Sequence, residues 1–223
     1  MEPMDVDAVA FDIDGTLYPN SRMYANSVLF SLARLRFLYH FSGVRKQIRK
    51  VRPLETFRVA QAEMLAMSMG TSYEAAYRRI DHAIYCRWQR IFRNIRPFPY
   101  LSDFLLRLRS SGYAIGVMSD FPVGDKLAHL NLPHVWDCVI SSEDTGYLKP
   151  NPEPFLAVAS SLGTEPERVL YVGNSYEYDI VGASSVGMKT AHLTKETSER
   201  SVADITFDDY RVLESHLFDA VRS

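Results

Sequence analysis

Hydrophobic and polar positions alternate in different ways along the chain, and the changes mark its parts. Val6, Ala8, Val9, Ala10 and Phe11 make a short apolar run that reads as a buried strand. From residue 21 to about 94 the texture changes to Leu, Ala, Met, Arg and Gln with few Gly or Pro. There Ser27, Leu32, Leu35, Leu38 and Tyr39 recur near helical spacing, as do Phe57, Ala60, Met64, Leu65 and Met67. Gly43, Pro53 and Gly70 cut this stretch into three or four helices. Thr71-Ser72-Tyr73-Glu74 reads as a fresh N-terminal cap, with an amphipathic helix over 73–92. Arg96-Pro97-Phe98-Pro99-Tyr100 is a return linker. Beyond it helices at 101–109, 123–130, 152–162 and 178–186 alternate with strands at 113–118, 138–140, 169–172 and 190–193, the pattern of a parallel sheet. Residues 205–207 and 210–217 finish the chain. The expectation is an α/β protein with a helical insert after its first strand.

At 223 residues, 47% of them apolar, the chain builds one substantial core plus a smaller unit. No apolar stretch reaches the ~18 to 20 residues of a membrane span, and the short acidic start carries no basic-then-apolar leader. Cys86 and Cys138, without metal-like spacing, are expected to be buried reduced thiols, so the expected location is cytoplasmic. The charge is split. Residues 18–96 hold fifteen of the 25 Lys and Arg but only four of the 27 acids, leaving ten bases and 23 acids elsewhere. The densest basic cluster is Arg45, Lys46, Arg49, Lys50 and Arg52. It is read as a solvated helix face, since no groove-reading or aromatic-interleaved motif accompanies it, and nucleic acid is not an expected partner. The six histidines are scattered without ligand spacing.

The first strand runs into Asp12-Ile13-Asp14-Gly15-Thr16-Leu17-Tyr18. Carboxylates at the carboxyl end of an open α/β sheet sit where such sheets bind ligands, and they repel unless a cation or shared proton neutralises them. Alone, the stretch also reads as a polar turn capping a helix. Three others follow it: Met118-Ser119-Asp120, then Tyr147-Leu148-Lys149-Pro150, then Gly173-Asn174-Ser175-Tyr176-Glu177-Tyr178-Asp179. Phosphate ester cleavage needs a nucleophile, a proton donor and charge neutralisation. Asp12 can accept a phosphoryl group as an acyl phosphate, and Asp14 can protonate the leaving oxygen and then activate water. The Ser119 hydroxyl and the amide of Asp120 can donate to a phosphoryl oxygen, and Lys149 can neutralise nucleophile and phosphate together. Glu143, Asp144 and Glu153 are read as charged loop residues.

Taken in order, these four stretches resemble the haloacid dehalogenase (HAD) superfamily over roughly residues 5–17 and 97–223. The resemblance implies a Rossmann-like doubly wound parallel sheet core, residues 1–17 and 97–223, with an α-helical cap at 18–96. It implies the same roles for Asp12 and Asp14, phosphate contacts from Ser119, Asp120 and Lys149, and Mg2+ as cofactor. Dehalogenases of the superfamily lack an acid at the position of Asp14, so Asp14 points to phosphoryl chemistry. The implied metal ligands are Asp12, the Asp14 main-chain carbonyl, Asn174 and Asp179. Here the pattern bends: an aspartate usually follows the glycine, and Asn174 brings a carbonyl oxygen without charge. Metal affinity is expected to drop, with Glu177 or Asp179 compensating directly or through water. The expected function is Mg2+-dependent hydrolysis of a small phosphorylated metabolite through an aspartyl phosphate. A weak or inactive phospho-ligand-binding regulator and a phosphomutase stay open as alternatives.

Overall fold

A computed structural model describes residues 4–54, 56–87, 91–93, 95–196 and 200–218. Strand β1 (Ala8–Asp12) leads into the insert, made of α1 (Asn20–Leu32), α2 (Leu35–Ile48), α3 (Phe57–Met69) and α4 (Tyr73–Ile80). The remainder runs α5 (Leu101–Ser110), β2 (Ala114–Ser119), α6 (Lys126–His129), β3 (Cys138–Ser141), α7 (Pro152–Leu162), β4 (Val169–Gly173), α8 (Val181–Ser185), β5 (Lys189–Leu193), β6 (Ile205–Phe207) and α9 (Tyr210–Phe218). The strands form one parallel sheet in the order β3-β2-β1-β4-β5-β6. The α/β expectation holds, with a sixth strand added where Ile205–Phe207 pairs with β5. Three residues are too few for alternation to announce a strand.

Alternation within β1 explains the two-layer packing. Val9 and Phe11 join the core built with Leu101, Phe104 and Leu108 of α5 and Tyr210 and Leu213 of α9. Ala8 and Ala10 face the other way, onto Phe155, Val158 and Ala159 of α7. Every residue of β1 is buried, as parallel strands covered on both faces require. The strand order reverses at β1, whose neighbours are β2 and β4, so the carboxyl end of β1 opens at the crevice where such sheets bind ligands.

Several expected helices are shorter. The helix at 123–130 is reduced to the four residues of α6. The one at 178–186 begins as a wide turn over Tyr176–Ile180 before α8. After α4, capped by Ser72 as expected, the chain continues as a π-helical turn over Asp81–Arg87, and residues 88–90 of the expected helix lie outside the described residues. The first helical pattern spans a break at Ala33–Arg34, so Leu32, Leu35 and Tyr39 are exposed. The buried stripe of α2 is instead Phe37, Phe41, Val44 and Ile48. Phe37, Phe41 and Val44 pack on Ala62 and Leu65 of α3 and Ala76 and Ile80 of α4.

Two expectations about polar groups are overturned. Part of the basic cluster is a set of clasps rather than a solvated face. Arg45, 6% exposed, pairs with Glu143 and donates to the Asp120 carbonyl at 2.7 Å. Arg49 pairs with Asp120 at 2.7 Å, and Arg52 with Glu153. Spaced three to four residues apart, the three arginines share one side of the chain as it leaves α2. Lys46 and Lys50 do remain exposed. Glu143, read as a loop charge, is buried beneath Arg45, Gln61 and Tyr85. Of the two cysteines expected to be buried, Cys138 is and Cys86 is not: it sits exposed on the π-helical turn after α4, and both are free thiols.

Candidate active site

The turn after β1 is held by its own side chains. Thr16 Oγ1 lies 2.9 Å from Asp12 Oδ2 and 3.3 Å from Asn174 Oδ1, so one hydroxyl spans the loops after β1 and β4. Gly15 adopts φ +95°, and a Cβ there would meet Asn174 Nδ2 at 2.5 Å; the close approach of the two loops requires glycine. The Tyr210 hydroxyl donates to the Thr16 carbonyl at 2.7 Å, tying the turn to α9.

Lys149 is the hub. Its Nζ donates to Asp12 Oδ1 at 2.7 Å, to Asp179 Oδ1 at 2.5 Å and to the Tyr171 hydroxyl at 3.3 Å, using all three ammonium protons. The Ser175 amide donates to Asp179 Oδ2 at 2.9 Å. Asp179 folds so tightly against the end of β4 that a Cβ on Gly173 would lie 2.3 Å from its own Cβ. Burial, with Asp179 and Asp14 nearby, pushes the Asp12 carboxyl up to about 7 against the pull of Lys149. Lys149 is held well above its ordinary value: burial opposes its charge, but Asp12 and Asp179 outweigh that cost.

Asp14 faces a different set of donors. Lys126 Nζ lies 2.8 Å and 3.2 Å from its two oxygens, Ser119 Oγ donates at 3.0 Å, and the Tyr18 hydroxyl donates as well. Burial raises its affinity for a proton, yet Lys126, Tyr18 and Ser119 together hold the carboxyl below its usual range. The Ser119 hydroxyl is fully buried and spent on Asp14 and on the Phe121 amide, rather than presented to a ligand. The Asp120 carboxylate accepts from the Lys149 amide at 3.2 Å and from Arg49, whose guanidinium also covers the Tyr178 ring. Burial works against the Asp120 charge, but Arg49 and then Lys149 keep the carboxyl low.

Asp12, Asp14, Asp120, Lys149, Asn174 and Asp179 therefore line one cavity of about 180 Å3. All seven residues singled out in the sequence converge here, Ser119 lying behind the wall, whereas Glu177 is exposed and does not line the cavity. Lys126 is not among the residues singled out in the sequence, while Tyr18 was only the end of the first stretch and Arg49 part of a cluster read as a solvated face. A signal did exist for Lys126: its spacing from Val123 and Leu130 puts it on the apolar side of the expected helix, an odd place for a charge. Among the described residues no three His, Cys, Asp or Glu side chains group as a metal cluster. Asp14 has turned its carboxylate to Lys126, and Asn174 stands where a further acid would. The donors that converge are still all oxygens, with Asp12 and Asn174 meeting at one hydroxyl, and that set fits a hard divalent cation.

Fold and site together define a hydrolase of the doubly wound α/β class, built on a carboxylate-bearing strand end. The chain belongs to the haloacid dehalogenase-like hydrolases, matching that family over residues 6–187. It is 36% identical over 111 residues to a glyceraldehyde 3-phosphate phosphatase of Methanothermobacter thermautotrophicus, a match spanning 48% of this chain and 49% of the relative. It is 29% identical to a phosphoglycolate phosphatase of Salmonella paratyphi A, covering 94% of this chain and 91% of that one. Among solved structures, a HAD phosphatase from Thermococcus onnurineus superposes with a TM-score of 0.65 at 25% identity, over 96% of this chain and 98% of that chain. Among the described residues, no helix is long and apolar enough to cross a membrane.

Proposed function

We propose that this protein hydrolyses phosphate monoesters of small molecules in two steps, with Asp12 as nucleophile and residues 18–96 as a cap over the site. The observation that carries the reading is the Lys149 ammonium joined to both Asp12 and Asp179 in the wall of a cavity of about 180 Å3, roomy enough for a phosphoryl group. Lys149 and Thr16 fix the two Asp12 oxygens, which orients the carboxylate for attack on phosphorus. As the Asp12–phosphorus bond forms, the ester bond breaks, and Asp14 supplies the proton to the departing oxygen. Arrival of a phosphate dianion beside Asp14 adds negative charge and raises its hold on that proton. In the second step water attacks the aspartyl phosphate, Asp14 takes the proton, and Asp12 is released with inorganic phosphate. The names of the phosphatase relatives support hydrolysis of a phosphate ester.

Asp12, the Asp14 main-chain carbonyl, Asn174 and Asp179 are the residues that would hold Mg2+. Bound there, the ion supplies charge neutralisation for the transferring phosphoryl group. The free thiols of Cys86 and Cys138 suit a reducing, cytoplasmic setting. The test is phosphate release from a panel of phosphomonoesters, with and without magnesium. Wild type is expected to need magnesium, and Asp12→Asn to be inactive. Asn174→Asp is expected to lower the half-saturating magnesium concentration on the order of tenfold, because it adds a ligand charge. Turnover surviving Asp12→Asn contradicts the assignment. Silence from folded wild type across the panel, with phosphonate binding retained, favours a phospho-ligand-binding protein.

A further inference from the structure

Next to the catalytic cavity lies a larger hollow of about 400 Å3, within the usual range for a small-molecule pocket. Its walls are mainly apolar: Tyr24 from α1, Leu38 and Phe41 from α2, Ile84 from the π-helical turn, and Phe121 from the loop after β2. The two spaces are neighbours. Phe121 lines both, and Arg49, which lines the larger, is bonded to Asp120, which lines the smaller. An ester with its phosphoryl group beside Asp12 has this hollow for its organic part.

The charges around the hollow are already committed. Among its described lining residues the cations are Arg45 and Arg49. Arg45 is paired with Glu143, bonded to Gln61 and the Asp120 carbonyl, and stacked 4.1 Å from the Phe121 ring centroid. Arg49 is paired with Asp120 and donates to the Lys149 carbonyl. A second anionic group on the substrate would be stripped of water against aromatic and aliphatic walls, with both guanidinium charges already neutralised.

Resting on the phosphomonoester reading, we propose that the substrate's alcohol part is uncharged and predominantly apolar, with the bulk of a benzyl group or more. Phe121 and the α2 residues Leu38 and Phe41 then select the substrate. The proposal separates this chain from a phosphoglycolate-type specificity, in which the organic part carries a carboxylate.

The test compares kcat/KM for benzyl phosphate and phosphoglycolate with magnesium present. Both lose an alkoxide, so leaving-group chemistry does not decide the outcome. In parallel, calorimetry measures binding of their non-hydrolysable isosteres, phenethylphosphonate and phosphonopropionate. The expected result is a preference of about tenfold or more for the aromatic member of each pair. Leu38→Lys, which adds an uncommitted cation to the hollow, is expected to shift both ratios toward the carboxylate ligand. Equal or reversed ratios in wild type, or no binding of either phosphonate, overturn the proposal. If the phosphonates keep the preference but no ester is hydrolysed, the pocket assignment stands and the phosphatase reading falls. If phosphate is released with the carboxylate ester preferred, the reverse holds.

Discussion

Lys126 reaches Asp14 from a helix of only four residues, fully buried, its ammonium also 4.6 Å from the Phe92 ring centroid. In the proposed reaction that contact favours the Asp14 anion needed in the second step, after its proton has gone to the leaving oxygen and before water gives one up. Removing it withdraws the strongest stabiliser of the Asp14 anion, so the Asp14 proton affinity rises. Lys126→Met is therefore expected to move the acid limb of the kcat–pH profile to higher pH, and an unmoved limb would count against the role. The residues legible in the sequence were those in four ordered stretches at strand ends and loops, and the family resemblance of that order supplied their roles. Asp12 and Ser119 close apolar strands, Lys149 precedes a proline-rich passage, and Asp179 follows a strand-ending glycine. Lys126 belongs to none of the four stretches, and its partner Asp14 lies 112 residues away in sequence, so only its place on the apolar side of the expected helix marked it. Asn174 was visible as a departure from the family pattern, but only the structure shows its side chain sharing the Thr16 hydroxyl with Asp12.

At the scale of elements, α2 is fastened to the sheet domain by Arg45 and Arg49 rather than merely resting on it. The Arg45–Glu143 pair is almost fully buried, with side-chain exposures of 7% and 2%. Burial pushes the Glu143 carboxyl up even with Arg45 beside it, the mark of a charge that depends on its partner. Taking away one member strands the other. Arg45→Met alone is expected to cost about 3–5 kcal/mol, whereas replacing both partners with apolar residues recovers most of the loss. Chemical denaturation of the two single variants and the double variant measures this, and strict additivity would contradict it. This element was misread because an arginine at helical spacing looks the same whether it faces water or a buried acid. The acid, Glu143, lies 98 residues away in sequence. The exposed Leu32, Leu35 and Tyr39 show the opposite error, a helical rhythm carried across a break that the residue pattern did not mark.

Across the whole molecule, the charge imbalance between residues 18–96 and the rest finds part of its use in joining them. Basic residues of the insert meet Glu143, Asp120 and Glu153 of the sheet domain, and one of those acids also lines the catalytic cavity. Seating of the insert and shaping of the site are therefore coupled through Asp120. The alternation of strands and helices marked a parallel sheet, but its order, which turns at β1 and opens the crevice beside Asp12, came only from the structure. The central claim is that Asp12 carries the phosphoryl group during turnover. The most direct measurement is mass spectrometry of peptides from protein quenched in acid during steady-state hydrolysis of a phosphomonoester. One added phosphoryl group is expected on the peptide containing Asp12, absent from Asp12→Asn. An unmodified Asp12 peptide in an enzyme releasing phosphate, with release persisting in Asp12→Asn, would contradict it.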